Sequence, residues 1–147
     1  MKKRDNLFTD KIAIRTIDKY RISYLLIAII MFLMTEAGRN IYRPFIYEHN
    51  INDYGLADSI GNLGGIIVEI FFFLAIVNSP KKKGFNLIGF VVIVYVVYEF
   101  AQPYLPKGVF DWKDIYGTFI GGIISVIILL LIRMFLKNKV IYKFPID

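Results

Sequence analysis

Four apolar blocks dominate this chain and leave few folds open to it. They cover residues 22–38, 59–77, 85–101 and 115–136. Each is close to the ~20 residues that cross ~30 Å of hydrocarbon at 1.5 Å per residue. A soluble helix shows one apolar stripe, whereas these blocks are apolar nearly all round. The composition agrees: 56% of the 147 residues are hydrophobic, and the mean hydropathy is +0.55. The blocks therefore predict an all-α membrane protein with four transmembrane helices in one membrane domain. The expected spans are 22–38, 58–78, 85–101 and 114–136. They are joined by an outer loop at 39–57, a basic inner loop at 79–84 and a second outer loop at 102–113. A basic segment, 1–21, precedes them and a tail, 137–147, follows. The first block comes after a charged segment and lacks an A-x-A-like site behind it, so it reads as a retained span and not as a cleavable signal.

The distribution of positive charge sets the expected orientation. Fourteen of the 18 Lys and Arg residues lie in the N-terminal segment, at Lys81–Lys83, or from Arg133 onward. Arg39, Arg43, Lys107 and Lys113 are the remainder. Positive charge stays cytoplasmic, so both termini are expected inside. The net charge of +6 then serves orientation and attraction to anionic lipid, not nucleic-acid binding. Leu7, Phe8, Ile12, Ile14 and Ile17 among the N-terminal charges fit either an interfacial helix or a mobile basic tail. The other side is acidic and aromatic, with Glu36, Glu48, Asp53, Asp58, Glu99, Asp111 and Asp114 beside Tyr42, Tyr47, Tyr54, Tyr98, Tyr104, Trp112 and Tyr116. Function is expected to face outward.

Spans two and four open alike. Asp58-Ser-Ile-Gly-Asn-Leu-Gly-Gly aligns without gaps on Asp114-Ile-Tyr-Gly-Thr-Phe-Ile-Gly, pairing Asn62 with Thr118, Gly65 with Gly121 and Glu69 with Ser125. Spans one and three close alike, with Glu36-Ala-Gly-Arg39 and Glu99-Phe-Ala-Gln102. The halves share orientation, so the expectation is a parallel pseudo-repeat of two helix pairs. At ~100° per residue, Asp58, Asn62, Gly65 and Glu69 fall within ~60° of one another and form a polar ladder. Asp114, Thr118, Gly121 and Ser125 form its twin. The four glycines, Gly61, Gly65, Gly117 and Gly121, fit close helix packing.

Glu69 is the costly residue. It lies about 16 Å down the axis from Asp58, near mid-membrane, where an ionisable group belongs in the protein interior or a watery cavity. It is either structural glue or the floor of a ligand site. Arg39 and Arg43 suit a phosphate or ordinary headgroup contact, and Glu36 can pair with Arg39 at i, i+3. Pro44 is expected to end any extension of span one. Asp58 and Asp114 taken singly fit helix caps. With no cysteine, thiolate metal sites are excluded, and neither a metal nor a cofactor is expected. His49 stands alone in a loop. Ser59, Ser79 and Ser125 have no His–Asp partner motif, and no Walker or dinucleotide fingerprint occurs.

Glu99-x-x-Gln102, Pro106, Asp111-x-x-Asp114, Thr118 and Gly121 together resemble the VanZ-like family of small bacterial membrane proteins. Its signature is roughly E-x-x-Q, a Pro-Gly-Arg-type turn, D-x-x-D and N-x-x-G. Glu99, Gln102, Asp111, Asp114 and Gly121 match it. The family's Arg falls on Gly108, beside Lys107, and its Asn falls on Thr118. The match covers residues 95–125. It implies the bacterial cytoplasmic membrane, the cell envelope and an effect on glycopeptide susceptibility, but no defined reaction.

Three functions stay open. The first is an outward cavity that binds an envelope lipid headgroup or lipid-linked precursor through Glu36, Arg39, Arg43, Asp58, Asn62, Glu69, Glu99, Gln102, Asp111, Asp114 and Thr118. The second is a proton- or cation-coupled transporter or channel with Glu69 as relay, built as a homodimer. The third is an acid–base enzyme on a lipid-linked substrate, for which no catalytic residues stand out. Membrane lipids are the expected partners, with a homodimer or larger membrane complex possible.

Overall fold

The computed structural model describes residues 19–77 and 83–137. Every element among them is helical. Helix α1 (Lys19–Ala37) runs through a π-helical turn (Gly38–Tyr42) into a short helix α2 (Arg43–Glu48). Helices α3 (Leu56–Val77), α4 (Lys83–Ala101) and α5 (Trp112–Lys137) follow, with a 3-10 turn (Gln102–Tyr104) after α4. Four stretches, Lys19–Glu48, Leu56–Val77, Gly84–Tyr104 and Trp112–Leu136, are long and apolar enough to cross a membrane. The helices expose large side chains such as Leu33, Phe90, Ile93, Ile123 and Phe135. That surface suits hydrocarbon, where each helix satisfies its own backbone. The chain thus has the architecture of a multi-pass membrane protein. The N-terminal residues Leu7 to Ile17, the loop residues Lys81 and Lys82 and the tail 138–147 lie outside the described residues.

The first helical stretch corrects the expected boundary at residue 39. It continues to Glu48, so most of the expected outer loop is helix. Pro44 does not stop it, because Pro44 occupies the first turn of α2. There the missing N–H removes little and the fixed φ suits a helix. The π turn before it absorbs an extra residue, with the Arg43 N–H bonded to the Gly38 carbonyl. Residues that reverse the chain come later, where Asn50, Tyr54 and Gly55 take positive φ.

Two acidic residues cap the helices that follow. Asp53 accepts from the N–H groups of Gly55 (3.0 Å) and Ala57 (2.6 Å) at the start of α3. Asp111 accepts from the Lys113 N–H at 2.9 Å at the start of α5. The capping role thus falls one turn earlier than the expected Asp58 and Asp114.

Helix α3 is the centre of the bundle. Ile66, Ile67, Ile70, Phe71 and Leu74 are fully buried on it and pack with Tyr24 and Ala28 of α1, Ile88 and Val91 of α4, and Leu129 of α5. Small residues set the close approaches. A Cβ on Gly121 would lie 2.6 Å from the Leu63 carbonyl oxygen, and one on Gly64 would strike the Thr35 side chain. Where α1 begins and α3 and α5 end, Lys19 donates to the Leu136 carbonyl (2.7 Å) and Arg21 to the Ala75 carbonyl (2.8 Å). These cations sit where the C-terminal carbonyls of α5 and α3 concentrate negative charge. Helices α1 and α4 both lie against α3 yet do not pack on each other. That gap positions the site.

Candidate functional site

The gap is a cavity of about 490 Å³ towards the loop end of the bundle. Its floor is one face of α3: Gly61, Asn62, Gly65, Val68 and Glu69. One wall comes from the first helix, with Phe32, Thr35, Glu36 and Arg39. The other comes from α4, with Val94, Tyr95 and Tyr98. Phe32, Val94 and Tyr98 are about half exposed and form an apolar rim. The cavity therefore opens sideways between α1 and α4, and its polar groups lie on the floor and near the loop end.

Glu69 is exposed to this cavity, and the Tyr95 hydroxyl, which a Cβ on Gly65 would meet at 3.5 Å, lies within interaction range of its carboxylate. The Arg39 guanidinium lies over Gly61, where a Cβ would come within 2.8 Å of its Nη2. Glycine at this position makes room for the guanidinium. Arg39 meets Glu36 at 3.6 Å, with both side chains substantially exposed at 53% and 40%. A contact that long and open contributes little and leaves guanidinium donors free for a ligand. Asn40 steadies Glu36 from the π turn, donating to its carbonyl (2.9 Å) and carboxylate (3.3 Å).

Behind the floor lies a buried lock. Glu99 is 1% exposed. Its two carboxylate oxygens accept from Asn62 Nδ2 at 2.7 Å and Gln102 Nε2 at 2.8 Å. The Glu99-x-x-Gln102 spacing puts both side chains on one face, and the lock fixes Asn62 at the cavity floor. A buried carboxylate held only by amides is tolerated because both oxygens are satisfied.

A third group forms a clasp at the loop end. The Tyr47 hydroxyl donates to Asp58 Oδ1. Lys113 Nζ meets Asp58 Oδ2 at 2.5 Å, and Arg43 lies 3.7 Å from the same carboxylate. Asp58 thereby ties α2 and α5 to α3. Asp114 is half-buried within electrostatic reach of Glu99, Asp111, Arg43 and Asp58.

The structure thus sorts the expected site residues into groups. Glu36, Arg39, Asn62 and Glu69 meet in the cavity. Glu99 and Gln102 support it from behind. Arg43, Asp58, Asp111 and Asp114 lie at the loop end. Of the ladder on α3, Asn62, Gly65 and Glu69 share the cavity while Asp58 turns to the clasp. The twin ladder on α5 is packed away: Gly121 meets Leu63 and Ile66, and Ser125 donates to the Gly121 carbonyl at 2.8 Å. Thr118 is fully buried, and its hydroxyl has no hydrogen-bond partner among the described residues. Tyr95 belongs to the cavity but escaped the reading of the sequence. Its signal was a mid-span tyrosine one turn before Glu99.

Among the described residues no group of three or more His, Cys, Asp or Glu is placed to hold a metal. His49 contacts the Phe45 carbonyl at 2.9 Å and does not line the cavity. The cavity offers a cation, two carboxylates, an amide, two phenols and the Thr35 hydroxyl. That set is suited to binding a group with both charges. No family model, curated protein or solved structure matches this chain.

Proposed function

We propose that this chain is a VanZ-like protein of the bacterial cytoplasmic membrane, with both termini cytoplasmic. In this reading it binds the headgroup of an envelope lipid or lipid-linked precursor in the cavity between α1, α3 and α4. The observation that carries it is a polar floor on a helix long and apolar enough to span a membrane, reached sideways between two helices that do not pack together. Polar and ionisable groups within a membrane span are costly unless they meet water or a polar ligand. A lipid enters such an opening with its acyl chains still in the bilayer. The distribution of Lys and Arg supports the orientation, which puts the opening in the outer leaflet. The short repeat supports treating α1–α3 and α4–α5 as related pairs, with one cavity kept and its counterpart filled by packing.

Ion or proton movement through Glu69 is the second reading, favoured by its exposure and by the Tyr95 phenol beside it. Below Glu69, however, α3 presents Phe72, Phe73 and Ile76. A path through one chain would end half-way, so this reading needs a second copy and predicts Glu69-dependent flux in proteoliposomes.

Photo-crosslinking tests the lipid reading. A benzophenone side chain in place of Val94 faces the cavity rim, and one in place of Ile123 on α5 serves as the outward control. We expect lipid adducts at both, with the Val94 yield alone falling several-fold in Glu69→Gln. Equal adducts at both positions, unchanged by Glu69→Gln, would mean the cavity meets only bulk lipid.

A further inference from the structure

The charges facing the cavity narrow the ligand. Helix α1 and the π turn supply Glu36 and Arg39, α3 supplies Glu69, and α4 supplies only the phenols Tyr95 and Tyr98. The formal sum is one net negative charge. An anionic headgroup would add to this excess in a medium where charge is poorly screened. A polyprenyl pyrophosphate, with two phosphates, would add most. A zwitterion does not, provided its positive end reaches Glu69.

The layout fits that polarity. Arg39 lies over Gly61, and Glu69 follows eight residues later on the same helix, about 12 Å along the axis. A phosphate on the guanidinium, a two-carbon bridge and an ammonium on the carboxylate fit within that backbone separation, because the Glu69 side chain leans back toward the helix N-terminus and Arg39. Glu69 is exposed to the cavity with the Tyr95 phenol beside it, so its carboxylate retains acceptor sites for N–H donors. A primary ammonium supplies three donors, whereas a quaternary one supplies none.

We infer that the cavity selects a zwitterionic phospholipid headgroup carrying a primary ammonium, with its phosphate on Arg39 and its ammonium on Glu69. This rests on the lipid-binding reading above and discriminates within it.

The test is native mass spectrometry of the full chain, delipidated in detergent. It is offered equimolar phosphatidylethanolamine, phosphatidylcholine, phosphatidylglycerol and a polyprenyl pyrophosphate. Wild type should retain phosphatidylethanolamine over each of the others by on the order of tenfold. Glu69→Gln should bring phosphatidylethanolamine and phosphatidylcholine to near equality, while Arg39→Gln should lower retention of both. Circular dichroism and melting of each variant separate lost binding from lost fold, and Tyr95→Phe provides a milder perturbation of the same carboxylate. Retention of phosphatidylcholine equal to or above phosphatidylethanolamine would overturn the inference. So would preference for phosphatidylglycerol or the pyrophosphate; if that preference depended on Arg39, the cavity would remain a lipid site. Retention of no lipid that responds to either substitution would overturn both.

Discussion

At the scale of single residues, burial separates groups that look alike in the sequence. Glu69 and Glu99 are both carboxylates within apolar blocks, yet Glu69 faces an open cavity and Glu99 is sealed behind it. The cost of Glu69 at mid-span was legible from its distance to Asp58. The lock on Glu99 was not, because it joins residues 37 positions apart and depends on how α4 rotates against α3. Asn62→Leu leaves one Glu99 oxygen without its donor. We expect it to lower stability by about 1–3 kcal/mol, read as a fall in melting temperature in detergent; an unchanged melting temperature would remove Asn62 from the lock. Thr118 gives the opposite expectation. Its buried hydroxyl has no described partner, so Thr118→Val should leave stability unchanged or raise it. A clear loss on melting would show that the hydroxyl is engaged by water or a ligand.

At the scale of helices, the four spans were legible because apolar length alone identifies them. Their ends were less so. The first helix outruns its expected end because the helix-compatible Pro44 follows a π turn, a local change in hydrogen bonding that no periodicity reveals. The two small-residue pairs share a spacing but not a role. Gly117 and Gly121 press α5 onto α3, whereas Gly61 and Gly65 leave room for Arg39 and Tyr95. The difference arises from what faces each pair, which lies outside the pair itself. Gly121→Leu should therefore weaken the α3–α5 contact by roughly 1–3 kcal/mol. Gly89→Ala meets nothing within 4 Å and should stabilise α4 by up to about 1 kcal/mol. Melting of the two variants side by side checks the contrast. The Asp58 clasp makes a separate prediction: Asp58→Ala should raise hydrogen exchange in α2 with little change in the centre of α3. Unchanged exchange in α2 would mean the clasp does not hold it.

At the scale of the whole molecule, α3 carries the core, and the remaining helices surround it incompletely. The open seam between α1 and α4 gives the bundle a polar interior accessible from the side. The sequence suggested an outward cavity shared by two ladders. In the structure one ladder contributes to it and the other is packed against α3, since two like faces cannot both remain open and both bury the central helix. The orientation is testable because the chain has no cysteine. A single cysteine at Tyr54 or Tyr104, both highly exposed at the loop end, should react with a membrane-impermeant maleimide in intact cells. One at Ser79 should react only after permeabilisation, and the reverse pattern would invert the protein. The most direct test of the account is the lipid that stays with the protein. Native mass spectrometry of protein purified from its own membrane, wild type beside Glu69→Gln, should show a bound lipid in the wild type that is absent or several-fold depleted in the variant. A lipid retained equally by both, or by neither, would contradict the claim that the α1–α3–α4 cavity binds a headgroup.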